Sequence, residues 1–167
     1  MSASALFALL GCGVLVAAVI HAAATDLKSR LIRNWLVATL AALWAPLAFG
    51  AGIPAEQIGY ALLASALVFF AGFGCFAAGW MGGGDVKLGA VIVLWLGPGL
   101  ALDFLLLSAV LGGCFALPLL LARRRRRAAA DGPEIPAPTR EVPYALPLGL
   151  AGVALLPSSP WFLLLQI

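Results

Sequence analysis

The sequence predicts an all-α, polytopic integral membrane protein, a bundle of about six transmembrane helices. Three observations predict it. Charged residues make up 10% of the 167 and hydrophobic residues 63%. A soluble domain carries ~25% charged residues, so this chain lacks the polar side chains to cover a soluble core. The charges are clustered, leaving six runs without Asp, Glu, Lys or Arg: 1–25, 34–55, 57–84, 88–102, 104–122 and 142–167. None of these runs alternates apolar and polar residues as the strands of a membrane β-barrel do. An ordinary cytosolic domain, a disordered tail and a secreted disulfide scaffold are all excluded.

The runs justify the helices in order. Run 1–25 exceeds the ~20 apolar residues needed to span a bilayer. Its Ala22-Ala23-Ala24 stretch resembles a signal-peptide cleavage region, and Leu9-Leu10-Gly11-Cys12 resembles a lipoprotein cleavage site. Both lack the basic n-region of such peptides, so the run is expected to stay as the first helix. Runs 34–55 and 57–84 give the second and third. Run 88–102 is only 15 residues and contains Pro98-Gly99; it reaches further if Asp85 and Lys87 lie within the membrane boundary. Runs 104–122 and 142–167 complete the six. The chain shows no internal repeat, and Ala and Gly crowd the runs, as in Ala71-Gly72-Phe73-Gly74 and Gly112-Gly113. Small residues let helices approach closely in lipid. The one sizeable polar segment, about 123–141, holds Arg123–Arg127, Asp131, Gly132, Pro133, Glu134, Pro136 and Pro138. It reads as a flexible cytoplasmic linker. The arginines are expected to anchor the fifth helix at the membrane surface, with no nucleic-acid partner.

Lys28, Arg30, Arg33, Lys87, Arg123–Arg127 and Arg140 are separated by even numbers of crossings, so all ten Lys and Arg fall on one face. Basic residues concentrate on the cytoplasmic side. That face is therefore cytoplasmic, and both termini lie outside. Cys12, Cys75 and Cys114 are isolated within apolar runs. They form no C-x-x-C pair and hence no zinc or redox motif, and no metal ligand set is expected.

Two aspartates stand out. Asp26 ends the first run and Asp85 ends the third, both at the cytoplasmic interface by this topology. Facing carboxylates at a low-dielectric boundary do not both ionise readily. One can then take a proton from water while the other protonates a substrate, the division of labour in aspartic proteases. The three glycines Gly82, Gly83 and Gly84 would permit unusual backbone angles and the close approach of a substrate strand. The competing reading is that Asp and Lys at helix ends are interfacial residues reaching water.

The segment Gly82-Gly83-Gly84-Asp85-Val86-Lys87-Leu88 resembles the Gly-x-Gly-Asp-x-Lys signature of type IV prepilin peptidases. Asp26 through Ile32 to Asn34 resembles the family's other motif, an Asp followed by a basic stretch, Ile, Pro and Asn, with Arg33 in the Pro position. Glu141-Val142-Pro143-Tyr144-Ala145-Leu146-Pro147 resembles its late Pro-aromatic-Ala segment, with Leu146-Pro147 in place of Pro-aromatic. The resemblance implies a single membrane-embedded peptidase domain over 1–167 with Asp26 and Asp85 catalytic. It further implies a bacterial inner-membrane enzyme that removes the short basic leader of prepilin or pseudopilin precursors at the cytoplasmic face, without metal or cofactor. Longer members carry an extra cytoplasmic region with paired cysteines, linked to N-methylation. This sequence resembles the short, peptidase-only form associated with Flp/Tad pili, and N-methyltransferase activity is not expected. Lys87 would stabilise ionised Asp85, contact the substrate backbone or anchor the interface. Asn34 would cap the second helix. His21 is expected to be a packing residue, and Glu56 and Asp103 to be interfacial on the outer side. Asp131 and Glu134 could attract a basic leader or simply be solvated. Two other functions fit parts of the pattern. One is an intramembrane aspartic protease of the presenilin or signal-peptide-peptidase kind. The other is a non-enzymatic transporter or assembly scaffold using the two aspartates as an ion site. The oligomeric state is not legible.

Overall fold

The computed structural model describes residues 2–128 and 144–165. The described residues form helices joined by short turns, with no strand. Helix α1 (Ala3–Ser29) starts where the Ser2 hydroxyl accepts the Ala5 N–H at 3.2 Å, the usual N-cap arrangement. It stops at Arg30, which adopts a left-handed φ of 53° and donates its N–H to the Asp26 carbonyl. Helix α2 (Asn34–Gly50) follows an extended Arg33 and contains Pro46, which has no N–H to give to the helical ladder. Helix α3 (Ala55–Ala77) begins after Pro54, and α4 (Gly83–Leu96) begins after Gly82. A turn at Gly97 (φ 85°) and a short 3-10 segment, Pro98–Leu100, lead into α5 (Ala101–Ala128). Helix α6 (Ala145–Leu155) continues through a 3-10 turn, Leu156–Ser158, into the short α7 (Pro160–Leu163).

The all-α membrane bundle expected from the charge-free runs is what forms. Among the described residues, four stretches are long and apolar enough to cross a membrane: α1, α3, Pro98–Pro118 and Ala145–Leu163. Helix α2 is shorter, at 17 residues. Helix α4 has 14 and rises only about 21 Å, less than the ~30 Å hydrocarbon thickness.

Three boundaries differ from the sequence expectation. The fourth helix occupies 83–96, not 88–102. Gly97 and Pro98 end it early, and Asp85 and Lys87 lie inside its first turns. Helix α5 continues through Arg123–Arg127 to Ala128, where a linker was expected from 123. Arg is a good helix former, and positive charge is favourable at a helix C-terminus. The rest of the linker, with Asp131 and Glu134, lies outside the described residues. The sixth run is not one helix, because Pro157 and Pro160 interrupt it.

Helix α4 sits at the centre. Every residue from Leu88 to Leu96 is buried, against α2, α3 and α6. Its lower end is closed by tryptophan. Trp161 stacks on Trp95, with ring centroids 5.0 Å apart. The Trp161 indole N–H donates to the Trp95 carbonyl at 2.7 Å. That carbonyl is one of the four left without an intrahelical partner at a helix C-terminus. Trp161 reaches it because Gly11 of α1 carries no side chain; a Cβ there would stand 2.5 Å from the indole.

Candidate active site

The opposite end of the bundle gathers the C-terminus of α1 and the N-termini of α2, α4 and α6. Helix α1 buries one face through Leu15, Val19 and Ala22. Their spacing of four, three and four residues places Asp26 on that same face. Asp26 is 6% exposed and is the one acidic residue buried among the described residues. A buried carboxylate is costly unless hydrogen-bonded. Here Oδ2 accepts the backbone N–H of Ala145, the first residue of α6, at 3.1 Å. Thr25 and Ser29 turn their hydroxyls back onto α1 carbonyls, at His21 and Ala22 and at Thr25 respectively.

Asp85 stands in the first turn of α4, half-buried, with its N–H on the Gly82 carbonyl at 3.1 Å. Negative charge is favoured at this helix end. The glycines do not adopt the unusual backbone angles expected of them. Gly82 has φ −73°, and the glycines with positive φ are Gly52, Gly79 and Gly97. Close approach is the reason for all three. A Cβ on Gly82 would lie 2.8 Å from the Asp85 Oδ2, one on Gly83 would lie 3.3 Å from the Phe76 ring, and one on Gly84 would lie 3.1 Å from Ile32.

That last contact joins the two aspartate-bearing segments. Ile32 belongs to the turn after Asp26, is buried, and packs on the turn of α4 that carries Asp85. A second tie lies beside it: Lys87 Nζ donates to Asn34 Oδ1 at 3.0 Å. Asn34 is therefore not the cap of α2. Arg33 takes the cap position, with no side-chain cap hydrogen bond, and the Asn34 amide binds the α4 lysine instead. Lys87 itself is exposed.

The remaining candidates fall elsewhere. His21 is exposed, with its ring 5.7 Å from that of Trp35. Glu56 is in the first turn of α3 and Asp103 in the first turn of α5. The three cysteines are free thiols. No group of three His, Cys, Asp or Glu that could hold a metal occurs among the described residues. Sequence reasoning missed the Ala145 N–H as a partner of Asp26. The only signal near it was the late Pro-aromatic-Ala segment, and a backbone donor leaves no mark in residue identity.

Chemically, the arrangement offers a buried carboxylate, a half-buried carboxylate and a lysine–amide tie where three helix starts and one helix end meet. The family model described as the type IV leader peptidase family matches residues 13–117, a span that contains both aspartate motifs and Lys87. Neither the curated proteins nor the solved structures compared with the chain gave a match. With more than half its length matched, and both motifs inside the match, the chain belongs to the type IV leader peptidase family.

Proposed function

We propose that this protein is a membrane aspartic endopeptidase. It removes the short basic leader from type IV or Flp prepilins or pseudopilins at the cytoplasmic face of the bacterial inner membrane. Asp26 and Asp85 are its catalytic pair. The observation that carries the reading is the meeting of the two motifs: Ile32 against Gly84 and Lys87 on Asn34 hold the segment after Asp26 to the turn bearing Asp85. Family membership supports the leader-peptidase activity.

Two carboxylates at one site share a proton. The ionised member takes a proton from water, and the resulting hydroxide attacks the scissile carbonyl carbon. The neutral member gives its proton to the carbonyl oxygen as the tetrahedral intermediate forms. Collapse breaks the C–N bond, and a carboxyl proton passes to the departing amine, which becomes the N-terminus of mature pilin. The chemistry needs no metal or cofactor. Gly82, Gly83 and Gly84 leave room at the start of α4, and the tie between Lys87 and Asn34 holds that turn in place. All the basic residues of the chain lie on the cytoplasmic face and both termini lie outside.

The test is leader removal from a co-expressed pilin precursor, read by gel mobility. Asp26→Asn and Asp85→Asn are each expected to leave the precursor uncut while the protein still inserts. Full cleavage by either variant contradicts the mechanism.

A further inference from the structure

We propose that the N-terminus of α6 is a positioning device for Asp26, and that the seam where α6 meets α1 sets the rate of leader removal. This rests on the two-aspartate reading above. A helix start leaves four N–H groups without intrahelical partners. In α6 the one on Ala145 is given to the Asp26 carboxylate at 3.1 Å. A hydrogen bond to an ionised carboxylate is about twice as strong as a neutral one and fixes its direction. A carboxylate at a helix end has several rotamers within reach; this donor favours the one in which Oδ2 faces the start of α6.

The donor is delivered by close packing on three sides. On α1, Val19, Ala22 and Asp26 line one face; on α6, Ala145 and Gly149 stand one turn apart on the facing side, and all five are buried. A Cβ on Gly149 would collide with Val19 Cγ1. One on Gly152 would lie 2.9 Å from Ile92 Cγ2 of α4. At the top, the ring of Tyr144, the residue before Ala145, lies over Gly112 of α5, where a Cβ would stand 2.8 Å from Cε1. Helix α6 is thus held against α1, α4 and α5 at positions where no larger residue fits. Small residues are what permit such approach between membrane helices. Gly149 is one helical turn from the donor and acts only through it. It is a positioning residue.

The decisive variant removes the donor alone. Replacing Ala145 by lactic acid through nonsense suppression changes the amide to an ester, deleting the N–H while keeping the side chain. Leader removal from a synthetic precursor peptide with a basic leader and an apolar segment is then measured on full-length protein in liposomes. Loss of a hydrogen bond to a charged group is expected to lower kcat about tenfold or more, with KM unchanged, because the lost interaction orients Asp26 and touches no substrate. Gly149→Ala should lower kcat in the same way. Adding Val19→Ala removes the methyl that collides with the new Cβ and should restore it. A general loss of structure would not give the split between kcat and KM or the second-site rescue. An ester variant with kcat within twofold of the parent overturns the proposal, and so does a double variant as slow as Gly149→Ala alone. Asp26→Asn separates the two levels. If it cleaves normally, the two-aspartate reading fails. If it is inactive while the ester variant cleaves normally, only the positioning role fails.

Discussion

Helices α3 and α4 are neighbours, both apolar over most of their length, and they play opposite parts. Helix α3 buries only Ile58 and Ala61 and turns Leu63, Leu67, Phe70 and Phe73 outward. Its Phe69, Phe73 and Phe76 rings run along it at 6.0–6.4 Å spacing. Helix α4 buries everything from Leu88 to Leu96. In water an apolar face announces where the core is. In a bilayer the lipid is as apolar as the interior, so hydrophobicity does not separate the two. What separates them is length: α3 has 23 residues and α4 has 14. Helix α4 carries Gly89, Ala90, Val91 and Val93 and is too short to span alone. Such a helix is tolerated at membrane depth only where protein surrounds its ends. The Trp161–Trp95 bond closes one end, and the aspartate site occupies the other. The helix that cannot serve as a wall is therefore the one that carries Asp85.

That contrast can be broken most strongly by truncating one side chain on each helix. Leu88→Ala, at 0% exposed, is expected to cost about 2–5 kcal/mol. Phe70→Ala, at 70% exposed, should cost under about 1 kcal/mol, as outward-facing substitutions do. Reversible unfolding in mixed micelles measures both. Equal losses would mean that α3 is as enclosed as α4.

A finer version lies within α3 itself. A Cβ on Gly72 would stand 2.9 Å from Val86 Cγ1, on the seam with α4, whereas Gly74 has nothing within 4 Å. Val86 is β-branched and stiff. Gly72→Ala should therefore destabilise by about 1–3 kcal/mol through overpacking. Gly74→Ala should be neutral or stabilise by up to about 1 kcal/mol, from helix propensity. The same unfolding assay separates them, and a reversed order would move the α3–α4 seam to the other face.

The smallest effect is expected at the tie between α4 and α2. Asn34→Ala and Lys87→Met each remove one partner of an exposed hydrogen bond and should change stability by less than about 1 kcal/mol. Both should slow leader removal by similar factors. The double variant should be no slower than either single, because the two residues act as one pair.

Much of this was legible in the sequence, and the failures have a common cause. The charge-free runs located the helices because charge is expensive in lipid. The same rule misplaced α4, since Asp85 and Lys87 are inside the helix but at its sheltered end. The rule treated Arg123 as the start of a linker because it reads charge and not helix propensity. It passed over Pro157 and Pro160, which split the last run although both are visible in it. At the site, Asp26 and Asp85 stood out by position and motif. Burial faces did not, because α3 and α4 differ in packing and hardly in polarity. The Asn34 amide was assigned to the wrong partner, since a cap is a local guess and Lys87 lies on another helix. The donor from Ala145 is main chain, and only the folded structure reveals it.

The central claim is that the end of α1 and the start of α4 form one site. Chemical bridging tests it most directly. In a variant with Cys12, Cys75 and Cys114 replaced by Ser, paired substitutions Asp26→Cys and Asp85→Cys are treated in membranes with the shortest bifunctional thiol reagents. Bridged peptides are then identified by mass. Asn34→Cys with Lys87→Cys, whose native side chains are in contact at 3.0 Å, is the positive control. The account predicts efficient bridging of both pairs. A bridged control beside an unbridged 26–85 pair would contradict it.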